Sequence, residues 1–171
     1  MTNTHAGSEL LFREVQPLRG CLPWLIVVAI AVMMWVLLLG RLLQGKPVGP
    51  NPMPDPILIL FWLVFGLAFP LAGAASRLIT EVHPDSVTVQ FIPFHAHARR
   101  IPFESLAACE AVTYEPLLEY GGWGIRFGLD GRAYNVSGHE GVRLSLNDGG
   151  EILIGSNHPD ALASAIIARL P

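Results

Sequence analysis

LPWLIVVAIAVMMWVLLL, residues Leu22–Leu39, decides the architecture of this chain, together with its counterpart ILILFWLVFGLAFPLAGAA, residues Ile57–Ala75. No charged residue lies between Arg19 and Arg41, and none between Asp55 and Arg77. A bilayer core of about 30 Å is crossed by roughly 20 helical residues, and each run is about that long. Lipid offers no partner for a backbone amide, so runs of this kind must be helical. Trp24, Trp35 and Trp62 lie near the ends of the runs, where an amphipathic ring prefers to sit. A cleaved signal peptide fits poorly, because a bulky Leu-Gly-Arg-Leu-Leu follows the first run where a small-x-small site is needed. The expectation is therefore a two-helix membrane hairpin.

Between the runs, Gly45–Pro56 carries five prolines in twelve residues. Each fixes φ and removes a donor, so this connection should be extended and stiff. Pro70 removes one helix bond and predicts a kink in the second helix. Gly66, Ala68, Ala72 and Gly73 are small enough to let the helices approach closely.

After Arg77 the hydrophobic period changes from helical to two. Strands are expected at 78–83, 86–92, 96–101, 107–114, 123–129, 141–146 and 151–154, with a further short one at 133–136. Pro84-Asp85, Asp130-Gly131 and Asp148-Gly149 supply the turns. Asn157 with Asp160 has capping-box spacing. Leu162, Ala165, Ile166 and Leu170 then form the apolar stripe of a closing helix. The domain reading is a tail at 1–20, a transmembrane hairpin at 21–76 and a mainly-β domain at 77–171.

Charge excludes several functions. Residues 77–171 hold eleven acidic and seven basic residues, a net of −4, and the one basic pair is Arg99-Arg100. That is neither the stripe of a nucleic-acid binder nor the patch of an anionic-lipid reader. Arg13, Arg19 and Arg77 flank the runs on one side, and Arg41 and Lys46 on the other. The bias leans towards a cytoplasmic domain in an inner membrane.

About seven short strands followed by one helix is the element order of a pleckstrin-homology-like barrel. The stretch Tyr-Glu-Pro-Leu-Leu-Glu-Tyr-Gly-Gly-Trp-Gly at Tyr114–Gly124, then Ile125-Arg126, Gly131-Arg132-Ala133-Tyr134-Asn135 and Ile154-Gly155-Ser156, goes further. Together these segments resemble a family of uncharacterised bacterial membrane proteins with two spans and a bacterial pleckstrin-homology-type domain. The resemblance implies a membrane α-hairpin plus a barrel of about seven antiparallel strands capped by a C-terminal helix. It implies no reaction. Phosphoinositide binding is not expected, because the first hairpin, Glu81–Asp85, offers two acids and no Lys or Arg.

The candidate binding rim is Tyr120, Trp123, Arg126, Tyr134 and Asn135, around the glycine run Gly121-Gly122-Trp123-Gly124. A sharp sheet corner with Trp123 in the core is the competing reading of that run. His95 and His97 lie two apart, but no carboxylate or cysteine motif joins them, so no metal is expected. No nucleophile elbow, Walker motif or dinucleotide fingerprint occurs, and Cys21 and Cys109 stand alone. The sequence therefore points to a protein-interaction or self-assembly module without catalysis or cofactor. The alternative is a small-molecule sensor or enzyme with its pocket at the glycine rim.

Overall fold

The structure, a computed structural model, describes residues 10–18, 20–45, 54–128 and 131–170. The central part of the proline-rich connection, Arg19, Lys46 and the Asp130 half of one hairpin signal lie outside the described residues. The chain divides into two units at Leu18/Arg19 and at Ala75/Ser76.

The inner unit is helical. Helix α1 (Cys21–Gln44) ends where Gly45 takes a left-handed φ of 60° and returns its N–H to the Arg41 carbonyl. The second run starts as α2 (Asp55–Phe61), with Pro56 in the first turn where a missing N–H costs nothing. It continues as a π-helical segment, Trp62–Ala68, and ends as α3 (Phe69–Ala75). The distortion expected at Pro70 thus appears as widened π turns immediately before it. Two helices, Trp24–Leu43 and Asp55–Ala75, are long and apolar enough to cross a membrane, and most of their side chains face outward. Arg41 pairs with Asp55 at 2.9 Å, joining the near ends of the two runs.

Among the described residues, the other unit contains nine strands, two α-helices and a short 3-10 turn at Phe103–Ser105. Strand β1 (Phe12–Pro17) pairs antiparallel with β2 (Arg77–Val82), which pairs with β3 (Ser86–Ile92), which pairs with β4 (Arg99–Pro102). The second sheet contains β5 (Leu106–Thr113), β6 (Gly124–Phe127), β7 (Gly131–Asn135), β8 (Glu140–Leu146) and β9 (Glu151–Gly155), in spatial order β5-β8-β9-β7-β6. Helix α4 (Pro116–Tyr120) precedes β6, and α5 (Pro159–Ile167) closes the unit.

These observations correct the sequence reading in several places. Residues 12–17 are an edge strand of the first sheet, not part of a separate tail, so the helical unit is inserted between two bonded strands. The last rungs before the helices are Pro17 opposite Arg77 and the Leu18 N–H on the Ser76 carbonyl at 3.0 Å. The strands number nine, β7 and β9 run parallel, and the four- and five-stranded sheets do not close into a barrel. Helix α5 begins at Pro159 behind His158, with no side-chain cap from Asn157.

One continuous core joins the sheets and α5: Leu78, Val82, Val87, Val89, Phe91, Tyr134, Val142, Leu144, Ile152 and Ile154, with Leu162 and Ile166 from the helix. Burial of such side chains stabilises by about 1.5–3 kcal/mol each before entropy is counted. The opposite face of the five-stranded sheet carries a smaller cluster of Tyr114, Ala133 and Leu153, beside Val112 and Tyr120. That second face positions the candidate site.

Candidate functional site

The glycine run first serves local geometry. Gly121 sits at φ 68° and gives its N–H to the Leu117 carbonyl, while Gly122 gives its N–H to Pro116. Both bonds satisfy carbonyls at the end of α4, which a residue with a Cβ would do only under strain. Gly124, at φ 114°, then enters β6, and its N–H is accepted by Asn135 Oδ1 at 2.9 Å.

The five expected rim residues are not brought together. Tyr134 is buried on the inner face, its hydroxyl accepting from Arg99 at 3.2 Å and its ring edge-on to His95 at 5.8 Å. Asn135 is fully buried on the other face and anchors Gly124. Neither can meet a large ligand. Trp123 is half-buried and donates its indole N–H to the Gly138 carbonyl at 3.3 Å. Arg126 is exposed, folded back so that Nε donates to the Trp123 carbonyl at 3.0 Å. Tyr120 lines an open cleft.

That cleft, of about 450 Å³, lies on the outer face of the five-stranded sheet, walled by Leu118, Glu119, Tyr120, Arg132, Arg143 and Glu151 over Gly128 and Gly131. Cross-strand partners share a face, so register brings Glu110 of β5 beside Arg143 of β8 and places Leu153 of β9 on Arg143's other side. The Arg143 guanidinium faces three carboxylates: Glu110 at 3.5 Å, Glu151 at 3.5 Å and Glu119 at 3.9 Å. All three separations exceed the roughly 2.7–2.9 Å of a close charge-assisted pair, so the cluster is loosely satisfied. Burial pushes the Tyr120 hydroxyl above its ordinary value; Arg143 opposes this, and Glu119 and Glu151 add to it.

Leu118 gives the cleft one exposed apolar wall, and other large apolar side chains of α4 and β6 are exposed as well. Leu118 is 87% exposed and Leu117 53%. Phe127 is 73% exposed and lies under the Arg132 guanidinium, 4.9 Å from ring centre to carbon.

Sequence reasoning missed Arg132, Arg143, Glu110, Glu119 and Glu151. The alternation of Val142, Leu144 and Leu146 already put Arg143 on the outward face. The sheet order that sets it among three acids was not legible.

The remaining chemistry-bearing groups are structural. Burial, with Glu110 adding, pushes the Cys109 thiol up to about 12, so it stays protonated and unreactive at neutral pH. His95 Nδ1 lies 3.4 Å from the Phe91 N–H, and His97 is exposed. Among the described residues, no group of three or more His, Cys, Asp or Glu side chains is placed to hold a metal.

Residues 3–170 match a family of unknown function, DUF6141. The chain belongs to that family. The match takes in both the helical unit and the strands around it, so the DUF6141 unit is the whole arrangement and not the β-domain alone. No curated protein matches the chain.

Proposed function

We propose that this DUF6141 protein is a membrane-anchored protein-interaction module, with the α4–β6–β7 cleft as its docking face. The carrying observation is Leu118, a large apolar side chain left almost fully exposed on the wall of a polar cleft, with exposed Leu117 beside it in α4. An exposed apolar patch rimmed by charge marks a contact surface, and Arg and aromatic side chains dominate the energetics of such contacts. The two apolar helices supply the anchor. In the sequence, Arg13, Arg19 and Arg77 flank the two apolar runs on one side, against Arg41 and Lys46 on the other, which favours a cytoplasmic domain on a bacterial inner membrane. Two sheets with a closing helix accord with a relative of the pleckstrin-homology fold in which the barrel is open.

The test is photo-crosslinking in cells from an aromatic probe at residue 120, which lines the cleft, with Leu117→Glu and Leu118→Glu variants carrying the same probe beside it. One defined adduct protein, lost in the variants while the chain still accumulates, supports the reading. Adducts that are absent, or the same in wild type and variants, overturn it.

A second reading is favoured by the cleft's volume, which falls within the range of about 300–1,000 Å³ of small-molecule sites, and by its convergent Arg132, Arg143 and Tyr120. It requires that a metabolite raise the melting temperature of the wild type and leave Arg132→Ala unmoved.

A further inference from the structure

A sheet edge is a row of unpaired N–H and C=O groups, and natural proteins guard such edges with charge, proline or brevity. Three of the four edges here are guarded. Strand β1 carries Arg13, Glu14 and Pro17; β4 carries Arg99, Arg100 and Pro102; β6 has four residues, including Arg126. Strand β5 is different. It is the longest strand, with eight residues, Leu-Ala-Ala-Cys-Glu-Ala-Val-Thr, and contains no proline and no lysine or arginine. Its one charge, Glu110, lies 3.5 Å from Arg143, which it shares with Glu119 and Glu151. Ala107, Ala108, Glu110, Ala111 and Thr113 are exposed. Strand β5 hydrogen-bonds to β8 on one side, and among the described residues no backbone group of another element bonds to its other side.

We propose that β5 is a self-association edge: two copies pair their β5 strands antiparallel about a two-fold axis, merging two five-stranded sheets into one. The occupant follows from three features. An antiparallel edge is complementary to its own copy, as an isologous interface requires. The small side chains of Ala107, Ala108, Ala111 and Thr113 raise no steric barrier to the close approach of a second strand, and Glu110, the one charge of the strand, has Arg143 beside it at 3.5 Å. An irregularity at Leu106/Ala108 interrupts the start of the strand, so pairing runs along Ala108–Thr113 and supplies about six main-chain hydrogen bonds. A chain held in a membrane also meets its copies in two dimensions, at a raised effective concentration. Helix α5, which packs on β5, leaves Ile167 exposed as an apolar flank. This edge is separate from the α4–β6–β7 cleft, and neither proposal depends on the other.

The experiment uses the full chain in its membrane, in a Cys21→Ser, Cys109→Ser background. Single cysteines replace Ala107, Ala108, Ala111 and Thr113 in turn, with Asn147→Cys, in the exposed turn after β8, as control. A copper–phenanthroline oxidant then reports disulfides. The expected result is disulfide-linked dimer concentrated at one or two β5 positions nearest the two-fold axis and none at Asn147. The double variant Ala108→Lys, Ala111→Lys, which adds the guard the strand lacks, lowers chemically crosslinked dimer about tenfold without lowering accumulation. The proposal is overturned by three results: no dimer at any β5 position, dimer as strong at Asn147 as on β5, or adducts to a different protein. Dimer unmoved by the two lysines overturns it as well.

Discussion

The indole N–H of Trp35 in α1 donates to the carbonyl oxygen of Gly66 in the second helix, at 3.2 Å. In a regular α-helix that carbonyl is the one residue 70 would satisfy, and residue 70 is a proline with no N–H. The side chain of one helix thus serves a backbone acceptor for which the other helix lacks its regular α-helical donor. The rings of Trp35 and Trp62 meet edge-to-face at 4.9 Å around the same point.

Two substitutions probe this crossing point. Trp35→Phe removes the donor and also part of the ring system that meets Trp62, so it should cost more than the average of about 0.6 kcal/mol for side-chain hydrogen bonds within membrane bundles. Gly66→Leu should do more. Even a Cβ at Gly66 would stand 2.8 Å from Trp62 Cδ1 and 3.3 Å from Met34 Cβ, so the helices must part. An SDS titration of the full-length protein, read by the remaining indoles, should show a slightly lowered midpoint for Trp35→Phe and no cooperative transition for Gly66→Leu. Equal midpoints would remove the hydrogen bond from the account.

Glu14 is the second load point, and it lies in β1. Its carboxylate is buried, accepting from Ser156 Oγ at 2.6 Å and from the Asn157 N–H at 2.8 Å, just ahead of α5. Two residues on, Gln16 Nε2 donates to the Gly155 carbonyl at 2.7 Å. Hydrogen bonds to a charged group are worth about 1.5–3 kcal/mol, so Glu14→Ala should destabilise the β-domain by that order. Chemical denaturation should show a lower midpoint at unchanged slope, and protease should cut first before α5. A midpoint equal to wild type would mean that β1 is dispensable.

Residues read locally were legible; residues defined by pairing across the chain were not. The two apolar helices, the alternation along β2, β3 and β8, and the stripe Leu162–Ile166 all follow from period alone. Strand β1 did not, because Arg13 to Pro17 alternates around a buried Glu and a buried Gln, and an apolar period cannot reveal a strand whose inward residues are polar. Tyr134 was misplaced for a related reason. Its neighbours Arg132 and Asn135 make the segment look like surface, yet register with Ile125 and Ile154 turns Tyr134 into the core. The cleft depends on β8 and β9 lying between β5 and β7, an order that no single strand encodes.

Tyr114 provides a pH test. Among the described residues its buried hydroxyl has no hydrogen-bond partner of good geometry, and burial pushes it up to about 12, the nearby Asn135 side chain pulling in the other direction. A phenol whose ionisation is suppressed only in the folded state stabilises nothing extra at neutral pH. Its penalty appears as the unfolded chain ionises near its ordinary value of about 10. Domain stability should therefore fall as pH rises from about 10 towards 12. Tyr114→Phe should flatten that slope while leaving neutral-pH stability equal or slightly higher, since the lost hydroxyl had no partner. Urea midpoints across that range decide it; parallel slopes for both proteins would assign the loss to other groups.

The insertion of the helices between β1 and β2 can be tested by removing them. Pro17 faces Arg77, and the Leu18 N–H reaches the Ser76 carbonyl at 3.0 Å, so the chain ends left by excision already stand as the last rung of an antiparallel pair. A two-residue Asn-Gly turn joins such a rung with the twist the strands need. The chain 10–18, Asn-Gly, 76–171 should fold in aqueous buffer without detergent and unfold cooperatively. The fragment 76–171 alone, which lacks β1, exposes the β2 edge and leaves Ser156 and the Asn157 amide without Glu14; it should aggregate or melt at lower temperature. Circular dichroism and size-exclusion chromatography of the two proteins make the comparison. Equal stability would show that β1 contributes nothing to the domain, whereas a well-behaved joined chain makes the helical hairpin an excursion from a β-hairpin that is complete without it.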